Sequence, residues 1–185
     1  MNNPYINLAK SAVEIFIKEG RIINLPEDLP REFLERKAGT FVTIEKQLRG
    51  LPRTELRGCI GTYLPTKENI AKEVIYNAIA ASTEDYRFGP ITEKELPELS
   101  YTVYILSEPE LVKDVSELDP KKFGVIVKVV FNGHIPYKTG LLLPDLKEID
   151  TAEQQIAIAC QKGGIDLLKE KILIYCFTVE QHKEI

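Results

Sequence analysis

The chain has no long apolar run, no surplus of positive charge, only two histidines and only three cysteines, and each shortage removes a class of protein. Its longest apolar stretches, around residues 141–143 and 172–174, fall far short of the roughly 18 residues a membrane span requires. The first residues also lack the basic then continuously apolar pattern of a secretory leader, and the two absences together predict a cytoplasmic protein with no membrane partner. Asp and Glu number 28 against 24 Lys and Arg, so no overall positive field exists to hold a phosphate backbone, and nucleic acid is not expected as a partner. Cys59, Cys160 and Cys176 are odd in number and widely spaced, which excludes a disulfide framework, a redox dithiol, a zinc site and an iron-sulfur cluster held by this chain alone. His134 and His182 stand apart in sequence, so no metal or other cofactor is expected. A glycine-rich phosphate loop, a zinc-protease helix and a serine-hydrolase elbow are all missing.

What remains is an ordinary globular composition, 44% hydrophobic and 28% charged, in a length of 185 residues that suits one domain with a single real core. Asn3-Pro4 reads as a helix cap and first helical residue, and Tyr5, Leu8, Ala9, Ala12, Val13 and Phe16 then recur at helical spacing, so a helix over residues 4–19 packs on that core. Pro26 and Pro30 mark a connecting loop with a short helical turn over residues 31–36. Residues 40–45 and 54–60 have strand composition on either side of a loop with Gly50 and Pro52, and they predict a hairpin. Thr66 after Pro65 reads as the cap of a helix whose buried stripe is Ile70, Val74, Ile75, Ala78 and Ile79, ending near Ser82. Residues 100–106 predict a further strand.

The order then recurs: strand over residues 125–130, strand over 140–143, a helix capped by Thr151 with Gln154 completing a capping box and Gly163-Gly164 stopping it, and a strand over 172–177. Compared element by element, the two halves lie about 80 residues apart, the pattern of an internal duplication; chance similarity of alternating strands and helices is the alternative. The expected fold class is therefore α+β, with duplicated strand-strand-helix-strand units and a mainly antiparallel sheet.

Residues 56–61, Leu-Arg-Gly-Cys-Ile-Gly, carry the most distinctive local chemistry. Strand alternation predicts that Leu56, Gly58 and Ile60 share one face, the leucine and isoleucine anchoring the core, while Arg57 and Cys59 share the other. A permanent cation beside a thiol favours the nucleophilic thiolate, and Gly58 and Gly61 leave room for a ligand or another backbone to approach. The reading that follows is a site for a small anionic molecule, with Cys59 and Arg57 in catalytic roles. The alternative is a structural or ligand-shaping cysteine, since free cysteine is among the most buried residue types. Asp85, Tyr86, Arg87 and Phe88 follow the first repeat helix; Phe88 is expected in the core, and Asp85 and Arg87 either contact a ligand or form a surface ion pair. Asn77, between apolar helix positions, is either a satisfied amide or a further ligand contact. His134, beside Asn132-Gly133, reads as an exposed turn residue, and residues 141–144 as a buried strand and its stop.

The ordered blocks at residues 39–43, 56–61, 77–78, 85–88, 107–110 and 140–144 resemble the AMMECR-one domain family, named after a human chromosomal region linked to Alport syndrome and elliptocytosis, with a match over about residues 39–177. Tyr86 and Asp145 depart from that family's pattern, where proline and glutamine are common. The resemblance implies larger and smaller lobes with a groove near residues 56–61, a proposed but unsettled enzymatic role there, and association with Memo-like and radical-SAM proteins. Two readings stand side by side: an enzyme acting on a small anionic metabolite or modified residue, or a non-catalytic ligand- or protein-binding module that serves such partners.

Overall fold

The computed structural model describes residues 3–48, 50–130 and 138–184, and His134 lies outside them. These residues form α1 (Pro4–Glu19), α2 (Arg31–Glu35), β1 (Thr40–Gln47), β2 (Thr54–Thr62), α3 (Ile70–Thr83), β3 (Leu99–Leu106), β4 (Glu110–Leu111), β5 (Gly124–Val129), β6 (Thr139–Leu142), α4 (Ala152–Lys162), β7 (Ile172–Phe177) and β8 (Val179–Lys183). Short 3-10 helices at Glu93–Glu98 and Val115–Glu117 complete them. The strands form two sheets, in the orders β2-β1-β3-β8 and β4-β7-β5-β6, and the chain divides into two compact units. One unit holds residues 1–106 and 180–185, the other residues 107–179.

In the first unit, α1 starts where the sequence puts it: the Asn3 side chain accepts from the amides of Tyr5 and Ile6, Pro4 occupies the first turn, and Gly20 closes the helix at φ 68°. Tyr5, Leu8, Ala9, Ala12 and Val13 are buried along it. They join one core with Val42 and Ile44 of β1, Tyr101, Val103 and Ile105 of β3, and the α3 stripe Ile70, Val74, Ile75, Ala78 and Ile79. The start of α3 corrects the sequence reading. Its cap is Asn69, whose side chain accepts from the Lys72 amide, and Thr66 lies outside the helix. The reason is Glu73: from the first turn of α3 its carboxyl group accepts from the Thr66 and Lys67 amides at 2.7 Å and from the Thr62 and Thr66 hydroxyls at 2.7 and 2.9 Å. Residues 62–67 thus spend their donors on a side chain rather than on a new helical turn.

The second unit repeats the path. β5 pairs antiparallel with both β6 and β7, as β1 does with β2 and β3, and α4 connects β6 to β7 as α3 connects β2 to β3. The Thr151–Gln154 capping box and the Gly163 cap occur as expected. The same close approach recurs in both units. A Cβ on Gly58 of β2 would overlap the Ala81 carbonyl of α3, and one on Gly140 of β6 would overlap the Ala159 carbonyl of α4. Each helix end therefore rests directly on strand backbone, which only glycine permits. The fourth strands join differently: β4 follows β3 in the chain yet pairs with β7 of its own unit, and β8 follows β7 yet takes its place beside β3 of the first unit.

Candidate functional site

β2 is an edge strand, and its pairing with β1 carries an irregularity that decides the site. Gly58 faces Ile44, whereas Leu56 faces Glu45, so Arg57 is an extra residue bulged out of the ladder. The bulge breaks the expected alternation. Leu56 moves to the face of Glu45, Thr43 and Cys59 and is 39% exposed; it is no core anchor, although Ile60 does pack against the core.

Arg57 is correspondingly separated from Cys59. Its Nε and Nη2 donate to Glu95 at 2.9 and 3.3 Å, and Nη1 and Nη2 reach the Gly89 and Pro90 carbonyls at 2.8 and 3.2 Å. Lys46 Nζ and the Thr92 amide also donate to Glu95, and the Arg57 hydrogen bonds, ahead of these, hold its carboxyl well below the usual carboxylate range. The guanidinium thus ties β2 to the loop before the 3-10 helix at Glu93–Glu98. It shares no hydrogen-bond partner with the thiol.

Cys59 is half-buried on the face of the sheet opposite the helices. Its sulfur accepts from Thr43 Oγ1, directly across β1, at 3.2 Å. On β3, burial first, then the charges of Cys59 and Glu45, push the Tyr104 hydroxyl upward, so it stays protonated at neutral pH. At the strand edge, the Cys59 amide donates to Asp85 Oδ2 at 2.9 Å. Asp85, 5% exposed, also accepts from the Arg87 amide at 3.2 Å, from Nε at 2.9 Å and from Nη2 at 2.7 Å. The Arg87 hydrogen bond chiefly, with the Cys59 amide assisting against burial, holds Asp85 down to about 2.

Arg87 is linked to the thiol residue through Asp85, whose carboxylate holds both the Cys59 amide and the guanidinium. Its side chain remains 45% exposed with Nη1 outside the Asp85 fork. Phe88 lies beneath it, 5.4 Å from ring centroid to guanidinium carbon, and is half-buried instead of filling the core. The other expected site residues have structural partners. Gly58 lies against Ala81, Gly61 against the Thr40 carbonyl and the Phe41 ring, and buried Asn77 donates to Thr40 O and Oγ1 at 3.1 and 2.8 Å. Sequence carries no signal for Thr43, because only cross-strand placement joins it to Cys59. Among the described residues, no cluster of His, Cys, Asp and Glu could hold a metal ion, and no helix is long and apolar enough to cross a membrane.

Two antiparallel sheets of matching strand order, each with its connecting helix, define an α+β class of protein whose distinctive chemistry sits on one edge strand. The AMMECR1 family model matches residues 6–182, and the chain belongs to that family. A Thermotoga maritima protein is 47% identical over 181 residues, covering 98% of each chain. Protein CA_C1420 of Clostridium acetobutylicum is 40% identical over 98% of this chain, which spans only 36% of that longer protein. The crystal structure of an uncharacterised protein, PH0010 from Pyrococcus horikoshii, matches with a TM-score of 0.83 at 31% identity, covering 97% of this chain and 89% of that one.

Proposed function

We propose that the protein is an enzyme acting on a small anionic molecule, which docks on Arg87 and reacts at Cys59. The observation that carries this reading is the arrangement around Asp85: one carboxylate holds both the backbone of the thiol residue and one edge of an exposed guanidinium. The other edge of Arg87 is then presented, pre-oriented, to a carboxylate or phosphate. In the reaction the sulfur bonds to an electrophilic carbonyl carbon and the carbonyl electron pair moves to oxygen. That oxygen takes a proton from water while the thiol gives its proton to water, so protons and charge balance. This reading replaces Arg57 by Arg87 as the anion anchor and places the work in the cytoplasm.

Alkylation rates test it without knowledge of the substrate. At pH 7.5 and low salt, iodoacetate should modify Cys59 faster relative to neutral iodoacetamide than it does a small free thiol, and Arg87→Gln should lower that preference by about threefold or more, the size of one nearby charge partly screened by water. Cys160 and Cys176 serve as internal slow controls, because burial pushes both thiols up. A Cys59 that does not react in the folded protein, or an unchanged ratio in the variant, rejects the proposal.

The embedding of a homologous region in the longer Clostridium protein favours a second reading: a binding module serving a partner of the Memo-like or radical-SAM type. There, Arg87→Ala weakens partner binding in a pull-down or titration while Cys59→Ala leaves it intact.

A further inference from the structure

Between α1 and α2 the chain passes through residues 21–26 as neither helix, strand nor turn, yet it keeps the alternation of a strand. Ile23 is buried in the core of the first unit and Leu25 packs against that core, while Ile22 and Asn24 are exposed. Among the described residues, no hydrogen bond involves the backbone N–H or C=O of residues 22–25. The segment is therefore held in place by two of its side chains while its main-chain donors and acceptors have no protein partner. Such a row is a template for a further strand.

The same four residues share the lining of a cavity of about 390 Å³ with Lys72, Ile75 and Tyr76 of α3. Ile75 is 1% exposed, whereas Ile22 at 43% and Tyr76 at 39% offer apolar surface that water still reaches. Lys67 Nζ stands 4.2 Å from the Tyr76 ring centroid, and no carboxylate among the described residues pairs with it. Lys72 is paired with Glu68 one turn before it, but both side chains are exposed, and a surface pair of this kind exchanges readily for another carboxylate. The three charged groups at this place thus leave one cation in excess.

We propose that this groove binds an extended, acidic segment of a partner protein. The segment adds as a strand to residues 22–25, seats an apolar side chain between Ile22 and Tyr76, and brings a carboxylate to Lys67. Strand alternation then places every second side chain of the segment in the cavity and the others in solvent. Because Ile23 and Leu25 already fix the receiving backbone, little ordering is left to oppose binding. A helix does not suit the site, since its own main chain is satisfied internally and leaves the free groups of residues 22–25 unused. The groove shares no residue with Cys59, Asp85 or Arg87, so it stands or falls apart from the thiol reading.

A phage-displayed library of random dodecapeptides, selected on the whole protein, supplies the probe. Bound clones should alternate acidic with aliphatic residues, and the strongest, made as a synthetic peptide, should lose about fivefold in affinity for Lys67→Glu and at least as much for Tyr76→Ala. Thermal midpoints establish that each variant folds, and either suffices if the other does not. Hydrogen exchange read by NMR checks the backbone pairing. The amides of residues 22–25 should exchange almost freely in the protein alone, and two of them, on alternate residues, should gain about tenfold protection or more with the peptide bound. Selected peptides without acidic residues, peptides that bind the variants as tightly as the unsubstituted protein, four amides left unprotected, or a library that yields no binder each overturn the proposal.

Discussion

Glu73 is only 1% exposed, and its four donors come from the end of β2 and the loop that precedes its own helix. Removing it leaves two part-buried amides and two hydroxyls without their acceptor, so Glu73→Ala is expected to lose about 2 kcal/mol, read as a lower urea midpoint at unchanged slope. Asp85 makes a comparable knot, and its pH dependence has a defined sign. Its folded value of about 2 lies below the roughly 3.9 of an unfolded aspartate, so its contribution is fully present above the unfolded value and is lost as pH falls through about 2. The stability gap between the protein and Asp85→Asn should therefore be widest near neutrality and close toward pH 2, as followed by denaturant titrations across that range. A gap independent of pH would place the Asp85 effect outside its ionisation.

At the scale of elements, the device that shapes the site is the bulge at Arg57, which turns one guanidinium toward Glu95 and leaves Leu56 on the face of the thiol. The neighbouring Gly58 carries the helix end on its backbone, as Gly140 does in the second unit. Overpacking in well-packed interiors costs about 1–3 kcal/mol, so Gly58→Ala and Gly140→Ala should each lower the thermal midpoint measurably. Gly89→Ala, with nothing within 4 Å of the added methyl, should leave the midpoint unchanged or slightly raised. Equal midpoints for all three would show that the helix ends yield freely.

At the scale of the whole molecule, the first unit depends on residues that follow the second in sequence. β8 supplies the neighbour of β3 and, through Glu180 and His182, partners for Arg36 and Asn3, while Glu184 just beyond it pairs with Lys10. A chain ending at residue 178 should therefore show faster hydrogen exchange in α1 and β3 by mass spectrometry, with α4 and β5 little changed. Loosening confined to residues 107–178 would contradict the assignment of β8 to the first unit.

Much of the fold was legible because it is written in near neighbours. Asn3-Pro4, Thr151 with Gln154, and the α3 stripe from Ile70 to Ile79 act over three or four residues, and helix and strand periods are properties of adjacent positions. The block at residues 56–61 likewise drew attention to the thiol, but alternation could not say what Arg57 faces. A bulge exists only relative to a partner strand, and the register of β1 against β2 is settled by packing at a distance. For the same reason Thr66 yielded its cap to Asn69 once Glu73 could reach back to it, and Thr43 and Asp85 became partners of Cys59 only when strand and loop closed around it. Local sequence determined which segments become helix or strand, because caps and periodicity are short-range interactions. Tertiary structure alone decided which side chains hold the thiol residue and which strand completes each sheet, because those choices belong to residues brought together only by the folded chain.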